Sequence, residues 1–277
     1  MDAGGSVMVS AIVAESVEER LERGEVVFLA EAPFALPTGA DHAFLLAQRG
    51  GSMARKDINF DPRTGKAPGF SRENEAQEQR LERVLGEFGR AAGAWLREAL
   101  PLYAEGVEAD RISFRPEEEA TRRLRQNARN DLLHIDAFPR RPAQGRRILR
   151  LFANIHPTEP RVWVTSDSLP CFLPRVRDQV ARATSWWRRF ADFVDGRSES
   201  DRFMLRLHDF LKASHDFQRH GTRRLWSFPP GSVWLAMTDS CTYAELRGRY
   251  ALEHSFFVRP EVLARPDLAP ESLLRAS

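Results

Sequence analysis

One short segment of the sequence carries two side chains that bind transition metals. His134 and Asp136 stand one residue apart in a mostly apolar stretch that covers residues 132–138. On a β-strand, positions i and i+2 project from the same face, so the imidazole and the carboxylate would point to one place. Together with a distant histidine, such a pair is the ligand set of non-haem iron(II) oxygenases, which keeps positions open for a co-substrate and dioxygen. By itself the tripeptide also fits an exposed ion pair or a histidine oriented by its neighbour.

The elements that must position this pair follow a simple order along the chain. Apolar residues at helical spacing predict helices in the first third, and the longest begins after a capping signal at Ser71 and ends at Pro101. Beyond about Ile112, short strand-like runs alternate with Pro and Gly breaks. We predict helices over residues 17–23, 41–48, 71–103, 174–193 and 202–217, an extended loop over 52–70, and strands over 25–30, 132–138, 146–155, 161–164, 225–228, 233–237 and 249–258.

A helix-rich start followed by many short strands predicts an α+β fold, in which helices buttress a β-sandwich or barrel rather than a parallel sheet. We treat residues 1–277 as one domain, because the Pro142–Gly145 stretch indicates a turn and not a linker. Its predicted parts are a helical buttress over residues 1–110, a β core over 111–260 with a helical insertion over about 174–217, and a C-terminal tail over 261–277.

The amino-acid composition limits the kinds of partner that the protein can bind. The 277 residues include 41 basic and 39 acidic side chains, and the net charge of +2 argues against a general nucleic-acid binder. No stretch approaches the roughly 18 apolar residues of a membrane span. The apolar run over residues 7–14 has no basic residue before it, and the chain has two cysteines. We therefore expect a cytoplasmic protein without a signal peptide.

Longer stretches of the sequence resemble the Kdo (3-deoxy-D-manno-oct-2-ulosonic acid) hydroxylase family. They include the segment that carries His134 and Asp136, and they occur in the same order as in that family. The resembling segments are residues 58–65, 134–142, 145–157, 161–163, 228–234, 238–239 and 248–253.

The resemblance implies a double-stranded β-helix, or jelly roll, of the cupin-like kind. It implies an iron(II) cofactor, with 2-oxoglutarate and dioxygen as co-substrates, and His134 and Asp136 as the catalytic metal ligands. The implied reaction hydroxylates carbon 3 of the outer Kdo sugar of Kdo2-lipid A, which gives the sugar Ko. A lipid-linked substrate further implies peripheral contact with the cytoplasmic face of the inner membrane.

One position departs from the family pattern. The third metal ligand should be a histidine in a segment Thr-Asp-x-x-x-His-Ala, and here Tyr243 stands at its place. A phenol must lose a proton of pKa about 10 to bind a metal well, so Tyr243 is a weak candidate ligand. Two alternatives stay open: a family relative that has lost activity and acts as a binding protein, and a dioxygenase for another anionic sugar. His254 is either a substitute ligand or a histidine packed beside Phe256.

A cation is needed to bind the distal carboxylate of 2-oxoglutarate. Alternation along residues 146–154 puts Arg150 and Asn154 on one face, and we predict that they bind the co-substrate or the carboxylate of the sugar. The alternative is a solvated face. Many oxygenases of this fold place the cation about ten residues after the distal histidine, where this chain has Glu253. Arginines 247, 249 and 259 flank that position.

Two further groups of residues have simpler interpretations. Residues 185–190 combine tryptophan and arginine. They either dock to a membrane interface, through Trp186, Trp187, Arg188 and Arg189, or form part of the hydrophobic core with solvated arginines at its edge. His208, His215 and His220 do not have the spacing of a metal-binding helix, and we expect them on the surface.

Overall fold

The computed structural model describes residues 15–48, 57–68, 75–118, 124–182 and 197–276. Its α-helices are Val17–Glu22 (α1), Gly39–Ala47 (α2), Glu75–Ala99 (α3), Leu169–Arg182 (α4), Glu199–Ala213 (α5), His215–His220 (α6) and Pro270–Arg275 (α7). Its strands are Val27–Leu29 (β1), Ile58–Phe60 (β2), Val107–Arg115 (β3), Arg147–Asn154 (β4), Arg161–Thr165 (β5), Arg224–Phe228 (β6), Val233–Met237 (β7), Tyr243–Arg247 (β8) and Ala251–Val258 (β9).

The strands form two antiparallel sheets. The large sheet has the order β1-β7-β4-β9-β3-β2, and the small sheet has the order β6-β5-β8. Aromatic rings from both sheets stack between them, since Phe152 and Trp234 of the large sheet contact Trp163 and Phe228 of the small one. The architecture is therefore the expected α+β jelly roll.

The outer face of the large sheet is apolar and is covered by α3. The buried side of this helix repeats at helical spacing and packs on the outward residues of β3, β4, β7 and β9. Gly89 permits the close approach, because a Cβ atom there would lie only 2.1 Å from Cδ1 of Ile112. The helical residues of this contact are Leu81, Val84, Leu85, Phe88, Ala92 and Leu96.

The helical insertion supports the segment that carries His134 and Asp136. Ile135, which lies between them, is fully buried among side chains of α4 and α5. Helix α5 begins with a capping box in which Ser198 and Asp201 satisfy each other's backbone N–H groups. The packing of Ile135 turns its two neighbours toward the space between the sheets.

Most predicted elements are present in the described residues, with three strands missed. The helices at the start, the long helix and the insertion occur where they are predicted, although residues 71–74 and 183–193 lie outside the described part. β2, β3 and β8 were not predicted as strands. The predicted strand over residues 132–138 was wrong, because only His134 forms a bridge there, opposite Tyr243.

Candidate active site

Backbone pairing brings the first two candidate ligands together. The amide of His134 donates to the carbonyl of Tyr243 at 3.0 Å, and the amide of Tyr243 donates back at 2.9 Å. The amide of Asp136 donates to the carbonyl of Thr238 at 2.6 Å, just after the end of β7. These bonds fix an extended segment against the small sheet, so His134 and Asp136 project to the same side even without a regular strand.

The imidazole of His134 is oriented by its own backbone. Its Nδ1 lies 2.7 Å from the carbonyl oxygen of Leu132, which can only accept, so Nδ1 carries the proton. The Nε2 lone pair then faces Asp136, with 3.9 Å between Nε2 and Oδ1. Both side chains are buried. This is the tautomer and the orientation that a metal-binding histidine requires.

Tyr243 lies against this pair with its hydroxyl toward the carboxylate. Its ring centroid is 4.6 Å from that of His134 and 4.6 Å from that of Trp163, on which it stacks. The hydroxyl donates toward Asp136, with 3.2 Å to each carboxylate oxygen. Burial raises the pKa of the Tyr243 phenol well above its ordinary value, and Asp136 adds to the effect while Arg150 opposes it. The side chain is therefore a neutral phenol.

Arg150 connects the carboxylate of Asp136 to a second carboxylate. Its Nη1 contacts Asp136 and donates to the Tyr243 hydroxyl at 2.9 Å, and its Nε donates to Glu253 at 2.8 Å. Burial alone would lower the pKa of Arg150, but Asp136 and Glu253 hold it above its usual value. The guanidinium is thus a permanent cation beside the candidate metal ligands.

A further layer of buried ion pairs holds Glu253 in place. Arg115 donates to Glu253, with 2.7 Å between Nη2 and Oε2, and it also contacts Glu245. Arg161 contacts Glu245 from the other side. Burial would raise the pKa of Glu253, yet Arg115 and Arg150 keep it well below its ordinary range. The inner face of the jelly roll is charged throughout this region.

His134 and Asp136 fit two positions of a metal site, and Tyr243 does not supply a strong third one. The 3.9 Å between Nε2 and Oδ1 lets both atoms contact one ion, since such bonds are about 2 Å long. Among the described residues, no three His, Cys, Asp or Glu side chains converge on one point. The nearby Tyr243 hydroxyl keeps its proton and donates a hydrogen bond to Asp136. Iron would therefore be held by one histidine and one carboxylate.

Of the two residues predicted to bind the co-substrate, the structure places only Arg150 in this group. Asn154 lies at the far end of β4, about 13 Å along the strand from Arg150. Its amide donates to the carbonyls of Glu159 and Phe228 at 3.0 and 2.9 Å, and its oxygen accepts from the amide of His156 at 2.9 Å. These bonds close the turn between β4 and β5. A contact of Asn154 with a ligand stays a prediction.

Two histidines differ in their surroundings. His254 lies on the outer face of the large sheet, with its ring centroid 3.9 Å from that of Phe256, so it packs as the simpler interpretation has it. The surface position expected for His208 was wrong. It is half-buried, its Nδ1 lies 2.7 Å from the carbonyl of Ile135, and its ring meets His134 edge-on at 5.3 Å. Because α5 packs on Ile135, its residue His208 lies beside His134 and contacts the imidazole edge-on.

Residues 185–190, with the candidate docking residues Trp186, Trp187, Arg188 and Arg189, lie outside the described residues. Within the described ranges, no helix has the length and apolarity to cross a membrane. Asp136 also lines a small cavity between β4 and α5, together with Phe138, Ile148 and Met204.

The comparisons with known proteins agree with this geometry. Residues 6–276 match the family model described as 3-deoxy-D-manno-oct-2-ulosonic acid (Kdo) hydroxylase. A search of curated proteins found no match.

Solved structures of the Kdo hydroxylase KdoO, described as a non-haem Fe(II) alpha-ketoglutarate-dependent dioxygenase, are similar over most of the chain. The apo form is 29% identical, with 94% of this chain and 88% of that chain covered and a TM-score of 0.85. The complex with alpha-ketoglutarate and Fe(III) is 29% identical, with 94% and 87% covered and a TM-score of 0.84. The cobalt(II) complex is 30% identical, with 94% and 88% covered and a TM-score of 0.82. The chain therefore belongs to the Kdo hydroxylase family, a family of non-haem Fe(II)- and 2-oxoglutarate-dependent dioxygenases.

Proposed function

We propose that this chain uses Fe(II), 2-oxoglutarate and dioxygen to hydroxylate carbon 3 of the outer Kdo sugar of Kdo2-lipid A, giving Ko. The observation that carries the proposal is the buried His134–Asp136 pair, with Nε2 presented to Oδ1 at 3.9 Å on the inner face of the jelly roll. The sequence resemblance implies the same two residues as metal ligands.

The roles of the side chains follow from their contacts. When bound, iron(II) together with 2-oxoglutarate supplies the oxidising power for the hydroxylation. His134 and Asp136 would hold the metal, and Arg150 keeps the Asp136 carboxylate oriented by pairing with its second oxygen. Tyr243 lies against His134, and Trp163 stacks on Tyr243, so both rings bury this group. Arg150 is also able to meet an anionic part of a ligand, provided that it releases Tyr243 or Asp136.

Tyr243 favours a second candidate, a family relative that binds the acidic sugar without oxidising it. The neutral phenol donates to Asp136, and the Arg150 cation contacts the same carboxylate. Both contacts weaken the attraction of Asp136 for a divalent cation, because the Arg150 cation offsets the charge of the carboxylate and the hydrogen bond from the phenol occupies its lone pairs. Retention of His134 and Asp136 supports the hydroxylase, since a metal-free protein needs neither.

The location of the reaction is part of the proposal. Kdo2-lipid A is anchored by acyl chains, so the chain would work at the cytoplasmic face of the inner membrane as a peripheral protein. Nucleic acid is not among the proposed partners, since the net charge is only +2.

A direct assay separates the two candidates. The protein is incubated with Kdo2-lipid A, Fe(II) and 2-oxoglutarate in air, and the lipid is examined by mass spectrometry for the gain of one oxygen atom. The hydroxylase requires this product together with an equal amount of succinate, and it requires both to disappear in Asp136→Asn. Sugar binding without product at saturating iron would support the binding protein and overturn the hydroxylase.

A further inference from the structure

The segment that carries His134 and Asp136 is hydrogen-bonded along both of its edges, but by different kinds of group. On one edge, the backbone groups of these two residues pair with the start of β8 and with the turn after β7. In an extended chain the backbone groups of successive residues point to opposite edges, so those of Leu133 and Ile135 face the other way. Within the described part of the chain, no strand lies along that second edge.

Side chains of the helical insertion bind the second edge instead. Gln218 of α6 accepts a hydrogen bond from the amide of Leu133 at 3.0 Å and donates one to the carbonyl of the same residue at 2.8 Å. His208 of α5 donates from Nδ1 to the carbonyl of Ile135 at 2.7 Å. A neighbouring strand would make bonds of the same kind. We call Gln218 and His208 the insertion clamp.

Both side chains of the insertion clamp are themselves held in place. The Gln218 amide also donates to the carbonyl of Leu211, near the end of α5, at 2.9 Å. The ring of His208 meets that of His134 edge-on, with 5.3 Å between the centroids. Both clamp residues are half-buried, so water competes less for their hydrogen bonds than it would at the surface. The positions of α5 and α6 are therefore passed on to the backbone that these side chains bind.

The bonds of the insertion clamp lie where they can affect metal binding. Ile135 is the residue between the two candidate ligands, and Leu133 directly precedes His134. The preceding carbonyl, that of Leu132, accepts the Nδ1 proton of His134 and so fixes its tautomer. A shift of this backbone would move the imidazole and the carboxylate together. Groups that orient metal ligands from outside typically change the metal affinity when they are removed.

We propose that the helical insertion is part of the metal site, and that His208 and Gln218 are positioning residues for the two metal ligands. This assignment rests on the proposed function in one respect, namely that His134 and Asp136 bind the metal. At the third position Tyr243 keeps its proton and donates to the carboxylate. A site with two strong protein ligands depends more on their fixed geometry, which the insertion clamp supplies.

The test measures binding of Co(II) and involves no turnover. Metal-free protein is titrated with Co(II) by equilibrium dialysis, and the visible absorption of the bound ion reports the geometry of its ligands. We expect His208→Leu and Gln218→Leu each to weaken the affinity by about 10-fold or more and to change this spectrum. The matched control is Gln179→Leu, on an exposed face of α4 in the same insertion, which should leave both unchanged.

Two conservative variants separate the hydrogen bonds from packing. His208→Asn places an amide nitrogen near the position of Nδ1, so it should regain most of the affinity that His208→Leu loses. Gln218→Glu keeps the shape of the side chain, but a carboxylate cannot donate to the carbonyl of Leu133, and the affinity should fall as in Gln218→Leu. Urea denaturation of the metal-free protein shows whether each variant is folded.

Wild-type affinity and spectrum in folded His208→Leu and Gln218→Leu would overturn the proposal. A wild-type chain that binds no Co(II), or a His208→Asn variant as weak as His208→Leu, would overturn it too. If the leucine variants do not fold, His208→Asn and Gln218→Glu decide, and the proposal requires strong binding in the first and weak binding in the second. Absence of hydroxylation, with these differences in affinity present, would overturn the proposed function and leave the insertion clamp standing.

Discussion

The two faces of the large sheet differ in the chemistry of their buried side chains along the middle of β4 and β9, although they belong to the same strands. The outer face of β4 and β9 presents residues such as Leu149, Leu151 and Phe256 to α3. The inner face of the same strands presents Arg150 and Glu253, which are equally buried but are held by ion pairs.

Two buried histidines show what this difference means. Neither ring nitrogen of His254, on the outer face, has a hydrogen-bond partner among the described residues, and the side chain packs as an apolar ring. His134 on the inner side has its Nδ1 proton bound to Leu132, with Nε2 facing Asp136. Burial alone does not mark a functional residue. Of these two histidines, His134 alone has a hydrogen bond that fixes its tautomer and a carboxylate that faces its other ring nitrogen.

The largest effect is expected from the removal of the inner histidine. His134→Ala takes away the nitrogen ligand, and Asp136 alone is then left beside the Arg150 cation. We expect the affinity for Fe(II) to fall by more than about 100-fold, which corresponds to loss of detectable binding. Anaerobic equilibrium dialysis measures it.

The matched control for this variant is His254→Phe, on the outer face. It should bind Fe(II) as the wild type does, because His254 lies on the other side of the sheet. Iron retained at wild-type affinity by His134→Ala would rule out the assignment of the metal ligands, and Asp136→Ala should behave nearly as His134→Ala does.

The contrast between the two faces also explains how much was predictable from the sequence. The pair His134–Asp136, the long helix α3 and most strands of the β core follow from spacing and from the family resemblance. Strand β3 was not predicted, although Arg111, Ser113 and Arg115 alternate with apolar residues, because its sequence contains no continuous apolar run. No local pattern predicts that α5 carries His208 to His134, since that contact depends on the packing of Ile135.

A smaller effect, on stability alone, is expected from the outer face. Leu151 is fully buried between the strands and α3, so Leu151→Ala removes apolar contacts and leaves a cavity. We expect a loss of about 3 kcal/mol in the free energy of unfolding, measured by urea denaturation. Leu225→Ala is the control, because Leu225 is 69% exposed and should change the stability by less than about 0.5 kcal/mol. Similar losses in both variants would contradict the described core.

The free energy of unfolding should change with pH by about 2 kcal/mol because of His254 on the outer face. Burial lowers the pKa of His254 to about 3, with Glu253 opposing and Arg97 adding to the shift. Between the unfolded pKa of about 6.5 and the folded value, the unfolded chain binds a proton that the folded chain does not. Stability should therefore fall by about 2 kcal/mol from pH 7 to pH 5 on account of this group, and above pH 7 it should not respond.

The variant His254→Leu isolates that contribution. The difference in unfolding free energy between wild type and variant should grow in favour of the variant as the pH falls from 7 to 5, and His220→Gln, on the exposed helix α6, should show no such trend. Parallel curves for wild type and His254→Leu would show that His254 is not buried without a partner.

The smallest change is expected at Tyr243. Tyr243→His replaces a neutral phenol by an imidazole, which binds metal at neutral pH without losing a high-pKa proton. The affinity for Fe(II) should rise by about tenfold, or about 1.4 kcal/mol. The control is Tyr243→Phe, which removes the hydroxyl and keeps the stacking on Trp163. If Tyr243→Phe loses iron binding altogether, Tyr243 is itself a ligand, which would contradict its description as a neutral donor to Asp136.

We propose that His134 and Asp136 form the inner-face metal site at which 2-oxoglutarate is used. An anaerobic Fe(II) titration of the wild-type protein with 2-oxoglutarate, followed through the weak metal-to-ligand absorption band, tests it most directly. We expect the band to saturate in the wild type with a weak affinity for Fe(II), to saturate at a lower iron concentration in Tyr243→His, and to be absent in His134→Ala. No band in the wild type or in Tyr243→His at saturating iron, or an unchanged band in His134→Ala, would contradict it.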